Sequence, residues 1–357
     1  MSINRTTKSI WQFTFNAIIM LLPVIVPALV YYIVVDPYKV LRSYDNYFDD
    51  MTKKPFAVGV NKGMVTVRNY LARNKDGKRY NAFIFGSSIS CYYDANEWMQ
   101  LLGCDANAMH FDSSSESLHK MAEKIRFLDE QQNRIKYALI VLDPIVMNAH
   151  DSNDPPYIHP PEFHRGLIHW GKWHYVFFRA ATNCDFFKSF IPSMLSGKSH
   201  SYGRNRIFEL QPIAYNSEIN QESIPQWDSL IANNKSKFYS IYPLVPAAKN
   251  ITVSPVVLDA GKVEALNEIA RIFARHGTDY QIIIGPNRRK VCLNCNDYAT
   301  ITRIFPSNRV HDYSVSQASM LDCDTLLYDN THYRPVFASR LMRLTYKNRT
   351  KASTSRL

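Results

Sequence analysis

The strongest pattern along the chain is an unbroken apolar run near its start. From Ile10 to Val35 the sequence reads IWQFTFNAIIMLLPVIVPALVYYIVV, without a single Asp, Glu, Lys or Arg. A helix of that length crosses a hydrocarbon core of about 30 Å. A run apolar on every face, with Trp11, Tyr31 and Tyr32 as interface anchors, suits lipid better than a protein interior. Pro23 and Pro27 kink such a span without forbidding it. The run is longer than the apolar part of a cleaved signal peptide, and no A-x-A site follows before Asp36, so a retained signal anchor is expected. Arg5, Lys8 and the amino terminus flank one side, Lys39 and Arg42 the other; the amino terminus is expected inside. Residues 1–9 are then cytoplasmic, 10–35 form the transmembrane helix, and the rest is exported.

Residues 36–80 read as a polar connector that ends in a basic turn, Arg73 to Tyr80. The pattern then changes to short apolar runs alternating with amphipathic ones. Asn81 to Phe85 is a buried strand that stops at Gly86-Ser87-Ser88, with helical continuation from Asp94 to Leu102. Asn107–Phe111 is a second short strand. Caps at Ser113–Glu116 introduce a helix with Leu118, Met121, Ile125 and Leu128 on one face, and Tyr137–Leu142 is a third, fully apolar strand. Strand, helix and strand in that order specify right-handed crossovers and a parallel sheet covered by helices on both faces. The same alternation returns with a helix over Lys262–His276 closed by Gly277, a strand over Tyr280–Ile284, and a last helix over Pro335–Tyr346. Residues 148 to about 250 break the rhythm with Pro, His and aromatics and are read as an insertion or lid on the sheet's carboxyl edge. The expected fold class is α/β, with the domain over residues 81–346 and a disordered tail over 347–357.

Composition excludes little of this. A chain of 357 residues, 46% hydrophobic, can bury a sizeable core. The formal charge of +11 and pI near 9.2 suit an anionic partner such as lipid head groups or an envelope polymer. Nucleic acid is excluded by export and by the lack of a clustered basic helix. Six cysteines fit an exported domain, and Cys292, Cys295 and Cys323 are candidates for one disulfide or for structural thiols. A lone C-x-x-C without a nearby His is not a zinc pattern, and no metal or cofactor is expected. His159, His164, His169 and His174 recur every five residues, a spacing that scatters them around a helix and alternates them across a strand. A polar aromatic surface with Trp170 and Trp173 as sugar-stacking candidates is expected there instead.

In an open parallel sheet, ligands bind beyond the carboxyl ends of the strands, so the turn after the first strand is where a nucleophile belongs. Ser88 occupies that turn. A serine hydroxyl needs a histidine to take its proton, and the histidine needs a carboxylate to fix its tautomer. Tyr328-Asp329-Asn330-Thr331-His332-Tyr333-Arg334-Pro335 offers both on one loop before the last helix. Taken singly the features are ordinary: Gly-Ser-Ser is a common polar turn, Asp329 could cap the last helix, and His332 could bond its own loop. The rival pair His311-Asp312 sits in a strand-like context, RVHDYSV, which favours a structural role.

A strand followed by Phe85-Gly86-Ser87-Ser88-Ile89-Ser90 near the domain's start, with Asp329-x-x-His332 before its last helix, resembles the SGNH/GDSL hydrolase superfamily. That resemblance implies a flavodoxin-like three-layer domain and a catalytic triad of Ser88, His332 and Asp329. With an amino-terminal anchor, an FGSS-type first block and a DNTHYRP-type ending, the chain more narrowly resembles the envelope branch, including the DltD-like and alginate-acetylation proteins. These modify cell-surface polymers, often beside a membrane-bound O-acyltransferase. The implied activity is that of an esterase or acyltransferase on O-acyl groups of an envelope polysaccharide or teichoic-type polymer. The alternative is a non-catalytic subunit of such an acyltransferase, with the same fold. The family's oxyanion hole uses the nucleophile's own N–H, a Gly in its second block and an Asn in its third. Here no such Gly lies in Asn107–Ser115, and Asp143-Pro144 follows the third strand in place of Gly-x-Asn-Asp. Ser88, Ser113, Ser114 and Asn148 are therefore the oxyanion candidates.

Overall fold

The computed structural model describes residues 3–49, 56–103, 105–144, 146–163, 166–200 and 212–354. His164, Cys104 and the last three tail residues lie outside them. Helix α1 (Ile3–Val35) carries the apolar run, and Ile10–Val35 is long and apolar enough to cross a membrane. It ends at Asp36, one of the few residue types that tolerate a positive φ, here +45°. The Asp36 carboxylate accepts the N–H groups of Val40 at 2.8 Å, Leu41 at 3.1 Å and Arg42 at 3.2 Å. Arg42 reaches back to the otherwise orphaned carbonyls of Ile33 and Val34 at 2.6 and 2.7 Å. The helix is thus fastened to the chain that follows it.

That chain is more than the polar connector expected of it. Helix α2 (Lys62–Lys75) is capped by Asn61, whose side chain accepts from the Met64 N–H at 2.9 Å. Met64 and Val65 pack into one apolar cluster while Val67 and Tyr70 pack into another. A helix buried on two sides has no single apolar stripe, which is why its periodicity is hard to read. The basic turn after it is docked: Arg73 pairs with Glu218 at 2.7 Å and Tyr80 donates to the Glu218 carbonyl at 2.6 Å.

The elements that follow are β1 (Ala82–Gly86), α3 (Ala95–Leu102), β2 (Ala108–His110), α4 (Leu118–Glu130) and β3 (Tyr137–Leu142). The irregular stretch then supplies α5 (Leu167–Ala181), α6 (Cys184–Ser196), the hairpin of β4 (Ala214–Asn216) and β5 (Gln221–Ser223), and α7 (Pro225–Ile241). The core resumes with β6 (Thr252–Val253), α8 (Ala260–His276), β7 (Asp279–Ile284), β8 (Val291–Cys292), α9 (Cys295–Ile304), β9 (Val310–Asp312) and α10 (Pro335–Thr354). Helix α10 runs past Tyr346 into the stretch read as a tail.

Five strands form one parallel sheet in the order β2-β1-β3-β7-β9. Alternation along the strands splits the core in two. Phe83, Phe85, Ile140, Leu142 and Ile282 face α4 and α8, while Ile84, Leu139, Val141 and Ile283 face α3 and α10. A third cluster, rich in aromatics, joins the end of α1 and residues 38–48 and 56–65 to α5 and α6. Cys292, Cys295 and Cys323 are free thiols, so the disulfide envisaged among them does not form.

Candidate active site

Strand β1 ends at Gly86, where the fold leaves no room for a side chain. A Cβ there would lie 2.7 Å from the Val141 carbonyl oxygen and 2.8 Å from the Ser90 Cβ. The turn closes at once: the Ser87 carbonyl accepts the Ser90 N–H at 2.8 Å and hydroxyl at 2.7 Å, and the Ser88 carbonyl accepts the Cys91 thiol at 2.7 Å. Ser87 is buried by this turn, and Ser88 is presented at the carboxyl edge of the sheet, beside the point where strand order reverses.

The loop before α10 is held from several directions. Leu327 and Tyr333 form a bridge, and the Tyr328 N–H donates to the His332 carbonyl at 2.9 Å. Asp228 of α7 accepts the Tyr328 hydroxyl and the Arg334 Nε, each at 2.7 Å. The Tyr333 hydroxyl shares a 2.9 Å hydrogen bond with that of Tyr93, which lies just beyond the Ser88 turn. Two distant stretches of sequence are thereby brought together.

The result is a continuous chain of hydrogen bonds. His332 Nε2 lies 2.8 Å from Ser88 Oγ, and His332 Nδ1 lies 2.8 Å from Asp329 Oδ2. Asp329 Oδ1 also accepts the backbone N–H groups of Thr331 and His332, both at 2.7 Å. Burial works to raise the Asp329 pKa, but the hydrogen bond and charge of His332, with the two N–H donors, outweigh it and hold the carboxyl below its ordinary value. An ionised Asp329 fixes the tautomer with the proton on Nδ1, leaving Nε2 to accept from Ser88. The rival His311 is instead engaged by Gln281 across the sheet at 2.7 Å.

Ser88, His332 and Asp329 open into a cavity of about 1070 Å³, which Ser114 and Ser115 also line. Of the oxyanion candidates, Ser88 and Ser114 are therefore at the cavity. Ser113 is buried and does not line it, its hydroxyl without a hydrogen-bond partner and its N–H on the Gly86 carbonyl at 3.3 Å. Asn148 is exposed in a short turn and is not among the residues that line the cavity. The two tryptophans also miss it. Trp173 is only 1% exposed and packs its ring 4.6 Å from Phe177, so no sugar can stack on it; Trp170 lies on the outer surface of α5. Among the five-residue histidine series, His159 pairs with Glu123 at 2.6 Å and His174 meets the Tyr32 hydroxyl at 3.4 Å.

Sequence reasoning missed a polar pair that lines the same cavity. Lys62 lies buried at 2.7 Å from Glu222 and 4.0 Å from Asp112, with both Lys62 and Glu222 lining the cavity. Burial opposes the charge on Lys62, yet the carboxylates of Glu222 and Asp112 raise its pKa above the ordinary value. The residues come from α2 and β5, which only the folded chain brings together. The one local sign was a lysine starting an apolar helical stretch, KGMVTV. No family model matches the chain, and no curated protein matches its sequence.

Proposed function

We propose that the protein is a membrane-anchored, SGNH-type serine acyltransferase or esterase whose domain lies outside the cytoplasm. The observation that carries this is the Ser88–His332–Asp329 chain, with a 2.8 Å contact at each junction. The sheet order supports it. Counting the five sheet strands alone, they lie 2-1-3-4-5, the order of flavodoxin-like folds, with Ser88 at the switch point.

In this reading His332 takes the Ser88 proton as the hydroxyl oxygen attacks an acyl carbonyl, and Asp329 stabilises the imidazolium that forms. The negative charge on the tetrahedral intermediate is met by the Ser88 N–H, with Ser114 on the facing loop as the second donor. His332 then returns the proton to the leaving oxygen, and a sugar hydroxyl or water, deprotonated in turn by His332, releases the acyl group. The acceptor or substrate is an envelope polysaccharide or teichoic-type polymer, and a membrane-bound O-acyltransferase is the companion that the resemblance implies.

A fluorophosphonate probe applied to the full-length protein tests this: it should form an adduct on the Ser88 peptide, and Ser88→Ala should abolish the adduct. A second reading has an observation of its own. Where the family's third block supplies an amide, Asp143 is buried and followed by Pro144, so no side-chain amide faces Ser88 from there. Absence of probe adduct on a protein that still melts cooperatively would favour a non-catalytic subunit that binds polymer for the acyltransferase.

A further inference from the structure

Helices α5 and α6 form a hairpin whose outer surface is apolar for no reason internal to the fold. On α5, Leu167 and Ile168 are 86% and 84% exposed, and Trp170 is 55% exposed. On α6, Phe187, Met194 and Leu195 are 44%, 44% and 78% exposed, the last two side by side at the helix's end. The inner faces are occupied: Trp173 and Phe177 of α5 and Phe186 and Phe190 of α6 belong to the aromatic cluster. Both helices are therefore apolar on two sides, which is not how a helix facing water is built.

The position of the hairpin beside α1 says what covers the second side. Tyr38, just beyond α1, packs on Phe177 and Phe186 near the hairpin's turn, with ring centroids at 5.3 and 5.1 Å. Tyr31, one helical turn or more earlier, packs on Phe187 and Phe190 at 5.3 and 6.5 Å, while the Tyr32 hydroxyl meets His174 at 3.4 Å. Going back along the chain into α1, contact moves from the turn toward the hairpin's far end. That far end holds Leu167, Ile168, Met194 and Leu195. The turn end, with Arg179, Asn183 and Asp185, lines the cavity that holds Ser88.

We propose that the α5–α6 hairpin docks into the interfacial layer of the same bilayer that α1 spans, sinking the Leu167–Trp170 and Met194–Leu195 end beside the anchor and setting the Ser88 cavity at the membrane surface. The occupant is a phospholipid bilayer rather than a second protein because the apolar stripe is continuous with the aromatic end of a membrane-length helix. The charge pattern agrees: residues 166–200 contain Lys172, Arg179, Lys188 and Lys198 against a single acidic residue, Asp185, which suits anionic head groups. The proposal rests on α1 being a membrane span, and its test keeps the two apart.

The full-length protein is reconstituted in phosphatidylcholine/phosphatidylglycerol vesicles containing a phospholipid with a photoactivatable diazirine in its acyl chain. After illumination, adducts are mapped by peptide mass spectrometry. Adducts are expected on α1 and on peptides covering 166–172 and 187–198, and not on the exposed stretch 232–237 of α7. Adducts on α1 with the hairpin no higher than α7 would overturn the docking proposal and leave the anchor standing. Absence of adducts from α1 as well would remove both. The double variant Ile168→Asp/Leu195→Asp should lose the hairpin adducts, retain those on α1 and keep its thermal transition; retained hairpin adducts would again overturn the proposal.

Discussion

The sheet edge that carries Ser88 and the aromatic module built by α1, α2, α5 and α6 are both well packed, yet they are held by different means. At the edge, the residues that meet lie just beyond regular elements: Ser88 follows β1, which Gly86 closes, and His332 precedes α10. The contacts that align them are polar and short, as in the Asp228 carboxylate that binds Tyr328 and Arg334. The module has clamps of its own, such as Asp36 on the Val40, Leu41 and Arg42 N–H groups, but its interior is filled by aromatic side chains. It is held by rings from segments more than a hundred residues apart, such as Tyr38 on Phe177 and Phe186, with Asn61 reaching the Ile158 carbonyl at 2.8 Å. An edge built of hydrogen bonds should lose chemistry before stability when altered, and a module built of rings should lose stability before chemistry.

The largest effect expected from this contrast is at Asp329. Asp329→Asn keeps the shape but removes the charge that sets the His332 tautomer, and should slow fluorophosphonate labelling by on the order of a thousandfold or more. The melting temperature near pH 7 should change little, because the side chain is 43% exposed and its hydrogen bond to His332 competes with water. The same change alters the acid limb of stability. A carboxyl held below its ordinary value stabilises the fold above that value and loses the contribution as pH falls through the depressed one. Urea unfolding at pH 7 and at pH 3 should therefore give a smaller difference for Asp329→Asn than for the wild type. An equal difference would mean that Asp329 is not bonded as described.

In the module, Trp173→Ala should cost about 4 kcal/mol of stability, the usual loss when a buried aromatic is truncated to a cavity. Differential denaturation reads this, and under native conditions the rate of probe labelling at Ser88 should stay near that of the wild type. If labelling falls as far as for Asp329→Asn, the module and the edge are one unit and the contrast fails.

This division also explains what could be read in the sequence. Strand β3 and the helix-strand pair α8–β7 were legible because their apolar positions repeat at the period of the element they form. The meeting of Ser88, His332 and Asp329 was legible because these residues concentrate in two short blocks at element ends. Helix α2 was not, because it is buried by two clusters, and neither was the Lys62–Glu222 pair, whose partners are brought together only by folding. Trp173 was misjudged for a related reason: a tryptophan in an aromatic, polar stretch looks the same whether it faces a substrate or a core, and only its neighbour Phe177 and the cluster both belong to decide.

Lys62 tests the boundary between the two regions, since it starts α2 yet lines the cavity. Lys62→Met leaves Glu222 and the buried Asp112 without their cation and should cost about 3 kcal/mol. Adding Glu222→Gln should restore part of that loss, because the stranded carboxylate beside the vacant position is removed. A double variant less stable than Lys62→Met would show that Glu222 has a partner more important to it than Lys62.

The smallest effect is the most pointed. Trp170 and Trp173 are three residues apart on the same helix, yet one is 55% exposed and the other 1%. In detergent micelles Trp170→Ala should shift stability by no more than about 0.5 kcal/mol, the range for exposed positions without special partners. Its ring touches His174 at 4.3 Å between centroids, but that contact lies at the surface and is replaced by detergent or water. A loss approaching that of Trp173→Ala would mean that the outer face of α5 is packed against protein after all, and the hairpin would then have no free apolar side to offer a membrane.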